Sequence, residues 1–112
     1  MEQIHNDDNR KLTPSEEILA GIADRGEGER RDEWHLYPPD SCDYCHRSLS
    51  NSIFFVDGKV KDSFQWGNMC AECFFTYGRE AIRWGAGQLY QQVGSNEWLM
   101  VGGFPTDEPE PF

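Results

Sequence analysis

The sequence predicts a small α+β metal-stabilised domain, and three observations predict it. All four cysteines fall into two C-x-x-C pairs, Cys42-Asp43-Tyr44-Cys45 and Cys70-Ala71-Glu72-Cys73. The pairs sit in unlike surroundings: Pro38-Pro39-Asp40-Ser41 leads into the first, which reads as a loop knuckle, and an apolar stripe follows the second, which reads as a helix start. Between them, β-branched and aromatic residues flank Asp57-Gly58, a hairpin signal that suits a type I′ turn. Knuckle, hairpin and helix in that order make a treble-clef-like zinc finger.

Two residues between cysteines let one tight turn aim both sulfurs at a single ion. Two such pairs complete the tetrahedral thiolate set that Zn²⁺ prefers. The expected ligands are therefore Cys42, Cys45, Cys70 and Cys73, around one structural zinc. Two disulfides or an iron site are the competing readings, and the N-terminus shows no hydrophobic signal segment that would favour disulfides. At a helix N-terminus the second pair would gain free N–H groups and the positive end of the dipole, both of which favour thiolate. His46 follows Cys45 closely but would be a fifth ligand, and His5 and His35 have no partner spacing.

The remaining elements follow in chain order. Residues 1–12 are polar and are expected to lack fixed structure. Thr13, Pro14 and Glu16 combine an N-cap, a first-turn proline and a capping-box partner. They start a helix over about 14–24, with Ile18, Leu19, Ile22 and Ala23 as its apolar stripe. That helix either packs on its own domain or docks on another protein, since so short a helix is marginal alone. Residues 1–33 thus read as an acidic arm, 34–104 as the zinc-binding domain and 105–112 as an acidic proline-rich tail. The first hairpin begins at Ile53 and returns toward Phe64 and Trp66, aromatics expected to shield the metal. Asn68 is positioned to cap the helix after Cys73, whose stripe of Phe74, Phe75, Ala81 and Ile82 extends to Trp84 with Gly78 as an interruption. Gly85-Ala86-Gly87 ends it. Gln88–Val93 and Trp98–Val101 flank Gly94-Ser95-Asn96-Glu97 as a C-terminal hairpin.

Met69-Cys70-Ala71-Glu72-Cys73, Tyr77-Gly78 and Gly85-Ala86-Gly87-Gln88-Leu89-Tyr90, preceded by Cys42-x-x-Cys45 and Phe55-x-Asp57-Gly58, resemble small zinc-finger-like proteins of bacteriophages and bacteria. The resemblance spans Cys42 to Tyr90. It implies a phage or mobile-element origin and the four cysteines as metal ligands. Relatives are glycine-rich where this chain has Arg79-Glu80-Ala81-Ile82-Arg83-Trp84.

Charge narrows the function. The chain of 112 residues carries a net charge of −10. Residues 1–37 hold ten acidic and five basic side chains, residues 38–104 seven and five, and residues 105–112 three acidic ones. Four thiolates on one Zn²⁺ add two more negative charges, to about −12. Long-range attraction to duplex nucleic acid is disfavoured. An enzyme is disfavoured too, because four thiolates close the sphere that a catalytic zinc leaves open, and the zinc-deaminase pattern is missing. No apolar run approaches a membrane span, so the cytoplasm is the expected location. The expected function is an acidic protein-interaction module that binds a host protein, with nucleic-acid mimicry as its sharper form. A zinc-finger nucleic-acid-binding regulator is the alternative, resting on Lys59 and Lys61 along one strand and on Arg79 and Arg83 four apart on the helix.

Overall fold

A computed structural model describes residues 11–30 and 32–105. The expectations for residues 1–10 and for the tail 106–112 lie outside them. Helix α1 spans Pro14–Arg25, strand β1 Phe54–Lys59, strand β2 Trp66–Cys70, helix α2 Ala71–Tyr77, strand β3 Gly87–Gly94 and strand β4 Glu97–Gly102. The strands form one antiparallel sheet in the order β2-β1-β3-β4. The C-terminal hairpin is present as expected, the first hairpin is present with its turn elsewhere, and the two are halves of this single sheet.

Helix α1 starts where the capping box places it: the Glu16 amide donates to the Thr13 hydroxyl and the Thr13 amide donates to the Glu16 carboxylate. Of its two possible placements it takes the domestic one. Leu19 and Ala23 are buried in the common core, and the helix lies on α2 and β4. The Thr13 hydroxyl also donates to Glu72 in α2 at 2.6 Å. Thr13→Ala should therefore cost about 1 kcal/mol for the cap and somewhat more for the lost bond to Glu72. Chemical denaturation of that variant beside Thr13→Ser, which keeps both bonds, measures it; equal midpoints for the two variants would contradict the cap.

Two expectations are corrected. Asp57-Gly58 is not a turn but the middle of β1, where Asp57 faces Asn68 and Gln88 and Gly58 faces Gly67 and Gly87. The reversal lies between Val60, whose amide donates to the Gln65 carbonyl, and Trp66, with Asp62 in the left-handed region at φ 58°. The physical reason is close packing. A Cβ at Gly58 would stand 3.3 Å from the Ala86 carbonyl, and one at Gly87 would collide with the Ala81 carbonyl. Glycine is needed on central strands here so that the segment after α2 can lie against the sheet.

That segment is the second correction, because α2 stops at Tyr77 and does not continue to Trp84. Gly78 turns extended, and a Cβ there would stand 2.8 Å from the Phe74 carbonyl. The chain then pairs with the end of β1: the Arg79 amide donates to the Lys59 carbonyl and the Lys61 amide to the Tyr77 carbonyl. Ala81 and Ile82 are therefore not on a helix, and neither are Arg79 and Arg83.

The sheet carries side chains on both faces. Register puts Val56, Met69 and Leu89 on one face, where Leu19 and Phe74 complete the core beneath the helices. Phe55, Tyr90 and Trp98 lie on the other. There the Phe55 and Tyr90 rings stack at 5.1 Å, Trp98 meets Phe55 edge-on at 4.9 Å, and His35 closes over the pair.

Candidate metal centre

The first pair is held by backbone hydrogen bonds before any metal is considered. The Cys42 amide donates to the Arg47 carbonyl and the His46 amide to the Cys42 carbonyl, folding residues 42–47 into a tight turn. His46 supplies the left-handed corner at φ 64°. It is exposed and is not part of the sulfur cluster. The turn is fixed to β2 by Asp43, whose amide donates to the Asn68 carbonyl and whose carboxylate accepts from the Asn68 amide, both at 2.8 Å.

The second pair straddles the passage from β2 into α2. Cys70 is the last strand residue and occupies the N-cap of α2, with Cys73 in the first turn. Asn68 is not the cap: it belongs to β2, opposite Asp57. The strand-to-helix turn therefore brings Cys70 and Cys73 together, and Asp43 on Asn68 brings the knuckle to them.

The four Sγ atoms all lie within 4.8 Å of one another, and those of Cys45 and Cys70 are 3.8 Å apart. A tetrahedron with metal–sulfur bonds of about 2.3 Å has sulfur–sulfur edges of about 3.8 Å. The donor set fits one four-coordinate ion. None of the four is in a disulfide.

Amides point at the sulfurs, as thiolates require. Tyr44 and Cys70 both donate their backbone N–H to Cys42 Sγ at 3.4 Å. The Arg47 amide is the main reason that the Cys45 thiol falls to about 7, against the opposing effect of burial and with help from its sulfur neighbours. Burial pushes the Cys70 thiol up, against the pull of the Cys73 amide, and burial pushes Cys73 up further. Without an ion, four thiolates so close cannot share the site, and Cys70 and Cys73 are the sulfurs that keep their protons. A bound cation reverses that preference for all of them.

Around the sulfurs, the covering groups differ from the expected ones. Phe64 is 89 % exposed and shields nothing. Tyr44 and Tyr77 instead stack at 4.8 Å beside the knuckle, and Phe55 stands opposite Cys70 in the sheet. Sequence reasoning also missed Glu72. This residue between the second pair of cysteines accepts from Thr13 and pairs with Arg47 at 3.4 Å, tying the helix cap to the knuckle. The ion pair is exposed and adds little by itself.

Fold and site together define a small α+β domain with a four-cysteine cluster able to hold one metal ion. No family model, curated protein or solved structure matches the chain. No helix of the described residues is long and apolar enough to cross a membrane.

Proposed function

We propose that this chain is a zinc-stabilised, acidic protein-interaction module of treble-clef type. The knuckle at Cys42–Cys45, the β1–β2 hairpin and the short helix carrying Cys73 follow one another in the order of that class, and an all-sulfur set within tetrahedral reach suits Zn²⁺. The carrying observation is a sulfur cluster at one edge of the sheet together with large side chains left outside the core elsewhere on the domain. Leu36 and Tyr37 are 79 % and 86 % exposed, and Trp34 and Trp66 are about half exposed. Such side chains on a scaffold fixed by metal are a surface for a partner. With four thiolates filling the coordination sphere no position is left for a catalytic water, so the metal's work is structural.

The partner is read as a basic protein, since the chain's net charge of −10 becomes more negative on metal binding. In a phage or mobile-element setting it would be a host protein met in the cytoplasm, where thiols stay reduced. Occupying a nucleic-acid-binding site by charge mimicry is the sharper form. Affinity capture from a bacterial lysate with the tagged, zinc-loaded chain tests the reading. A basic protein recovered at low salt and lost at high salt is the expected result, and recovery of nucleic acid alone would overturn it.

One observation favours nucleic-acid binding as a second reading. The chain after α2 brings Arg79 beside Lys59 and Lys61, near the exposed Phe64 and Trp66. The charge there is partly answered, because Lys61 lies 3.9 Å from Glu80 and Arg79 donates to the Ser63 carbonyl. Lys59 lies over the Trp66 ring at 6.0 Å.

A further inference from the structure

Across β2, β1 and β3, the register lines up Asn68, Asp57 and Gln88 on the face that also carries Phe55 and Tyr90. Their row lies between an aromatic border of Phe55 and Tyr90, two residues along on one side, and Trp66 with Lys59 on the other. Directly opposed side chains in antiparallel strands are neighbours, so three polar groups meet on one patch of sheet.

One atom of this row, on Asn68, is buried without a partner, and the other two side chains make no hydrogen bond among the described residues. Gln88 is 8 % exposed, and its side-chain amide makes no hydrogen bond among the described residues. Asn68 Oδ1 is buried without a partner. The half-buried Asp57 carboxylate has neither a hydrogen bond nor an ion pair there. Burial holds its pKa above the usual carboxylate range, with His35 pulling it down and Asp43 adding to the rise. An unsatisfied buried amide costs about 1–3 kcal/mol. A row of such groups makes sense where something from outside completes it.

The chemistry of the completing group follows from what is unpaired. A carboxylate and an orphaned amide oxygen both need donors, and Glu33 and Asp43 add negative charge nearby. The cations on this face are His35, whose imidazole burial holds neutral to lower pH, and Lys59, whose ammonium lies over Trp66. A donor-only cation fits, and a flat one fits better between aromatic borders: guanidinium carries five N–H donors, no acceptor, and stacks on rings.

We propose that the Asn68–Asp57–Gln88 row receives an arginine side chain of a protein partner, with Asp57 taking the guanidinium and the two amides flanking it. This rests on the protein-interaction reading and names the chemistry of its contact. The test is a heteronuclear NMR titration of the zinc-loaded full chain with N-acetyl-arginine amide, followed at the side-chain amides of Asn68 and Gln88. Saturable shifts are expected, with affinity at least about tenfold weaker for the neutral citrulline analogue and for Asp57→Asn. Gln88→Met, close in shape, serves as a second variant with the same expected loss, and the backbone spectrum of each shows whether it has folded.

No saturable shift at concentrations on the order of tens of millimolar, or an equal response to citrulline, would overturn the site and leave water as its occupant. An equal response to N-acetyl-lysine amide would overturn the choice of arginine. The wider reading is tested separately by capture with wild type and Asp57→Asn side by side. A partner held equally by both sinks the arginine site and leaves the interaction module standing. A wild-type chain that captures no protein sinks the module, while the titration still decides the chemistry of the row.

Discussion

Replacing Cys70 with serine is expected to unfold the domain outright. Its sulfur is one corner of the cluster, its amide donates to Cys42 Sγ, and its backbone is the hinge where β2 becomes α2. Structural zinc supplies about 10–16 kcal/mol of apparent binding energy in small peptides at neutral pH. Domains of this size are stable by only about 5–15 kcal/mol. Losing most of the first matches or exceeds the second. Elemental analysis should find one zinc per wild-type chain, and excess chelator should collapse the dispersed amide spectrum as the variant does. A Cys70→Ser protein with native dispersion in chelator would show that the sheet stands without the metal.

Leu19→Asp is expected to destabilise the whole molecule. Leu19 is 0 % exposed, within the same core as Phe74, Leu89 and Val101. Truncating such a leucine costs about 2–5 kcal/mol. A carboxylate there also loses its hydration with no partner to replace it, or takes up a proton. Weaker retention of zinc against a competing chelator should accompany a lower denaturation midpoint, because metal binding and folding are one equilibrium. A variant with unchanged zinc retention would mean that α1 is a separable arm.

What the sequence made legible is what local chemistry decides. The cysteine spacing identified the cluster, Thr13-Pro14-x-Glu16 identified the start of α1, and Gly94 to Glu97 identified the C-terminal turn, where Asn96 takes the left-handed conformation at φ 58°. What it hid depends on register. Asp-Gly is a strong turn signal, yet Gly58 is glycine because backbone passes close over it, and no local pattern distinguishes these demands. Ala81 and Ile82 have helical spacing from Phe74 and Phe75, but the bonds from Arg79 and Lys61 to the neighbouring backbone outweigh that propensity. The polar row could not be read either, since Asn68, Asp57 and Gln88 are neighbours only once three strands are aligned. A single clue was present: Phe55-Val56-Asp57 puts an acid on the same face as an aromatic that is itself buried.

The bonds from Asp43 to Asn68 have a meaning beyond positioning the knuckle. Asn68 lies on β2, the outer strand, and its amide and carbonyl, were they not taken by Asp43, are the kind of groups to which a second chain could add a strand. At the opposite side of the sheet, the His35 amide donates to the Trp98 carbonyl and the Met100 amide to the Glu33 carbonyl, so β4 is covered as well. One cover is ordinary chain, but the other hangs from the cysteine cluster. Without a bound ion, the knuckle would be held over β2 by hydrogen bonds alone, those between Asp43 and Asn68 among them. A metal on the four sulfurs would thus guard this edge against self-assembly as well as hold the fold, and chelated protein should form β-rich aggregates before it becomes a dispersed coil.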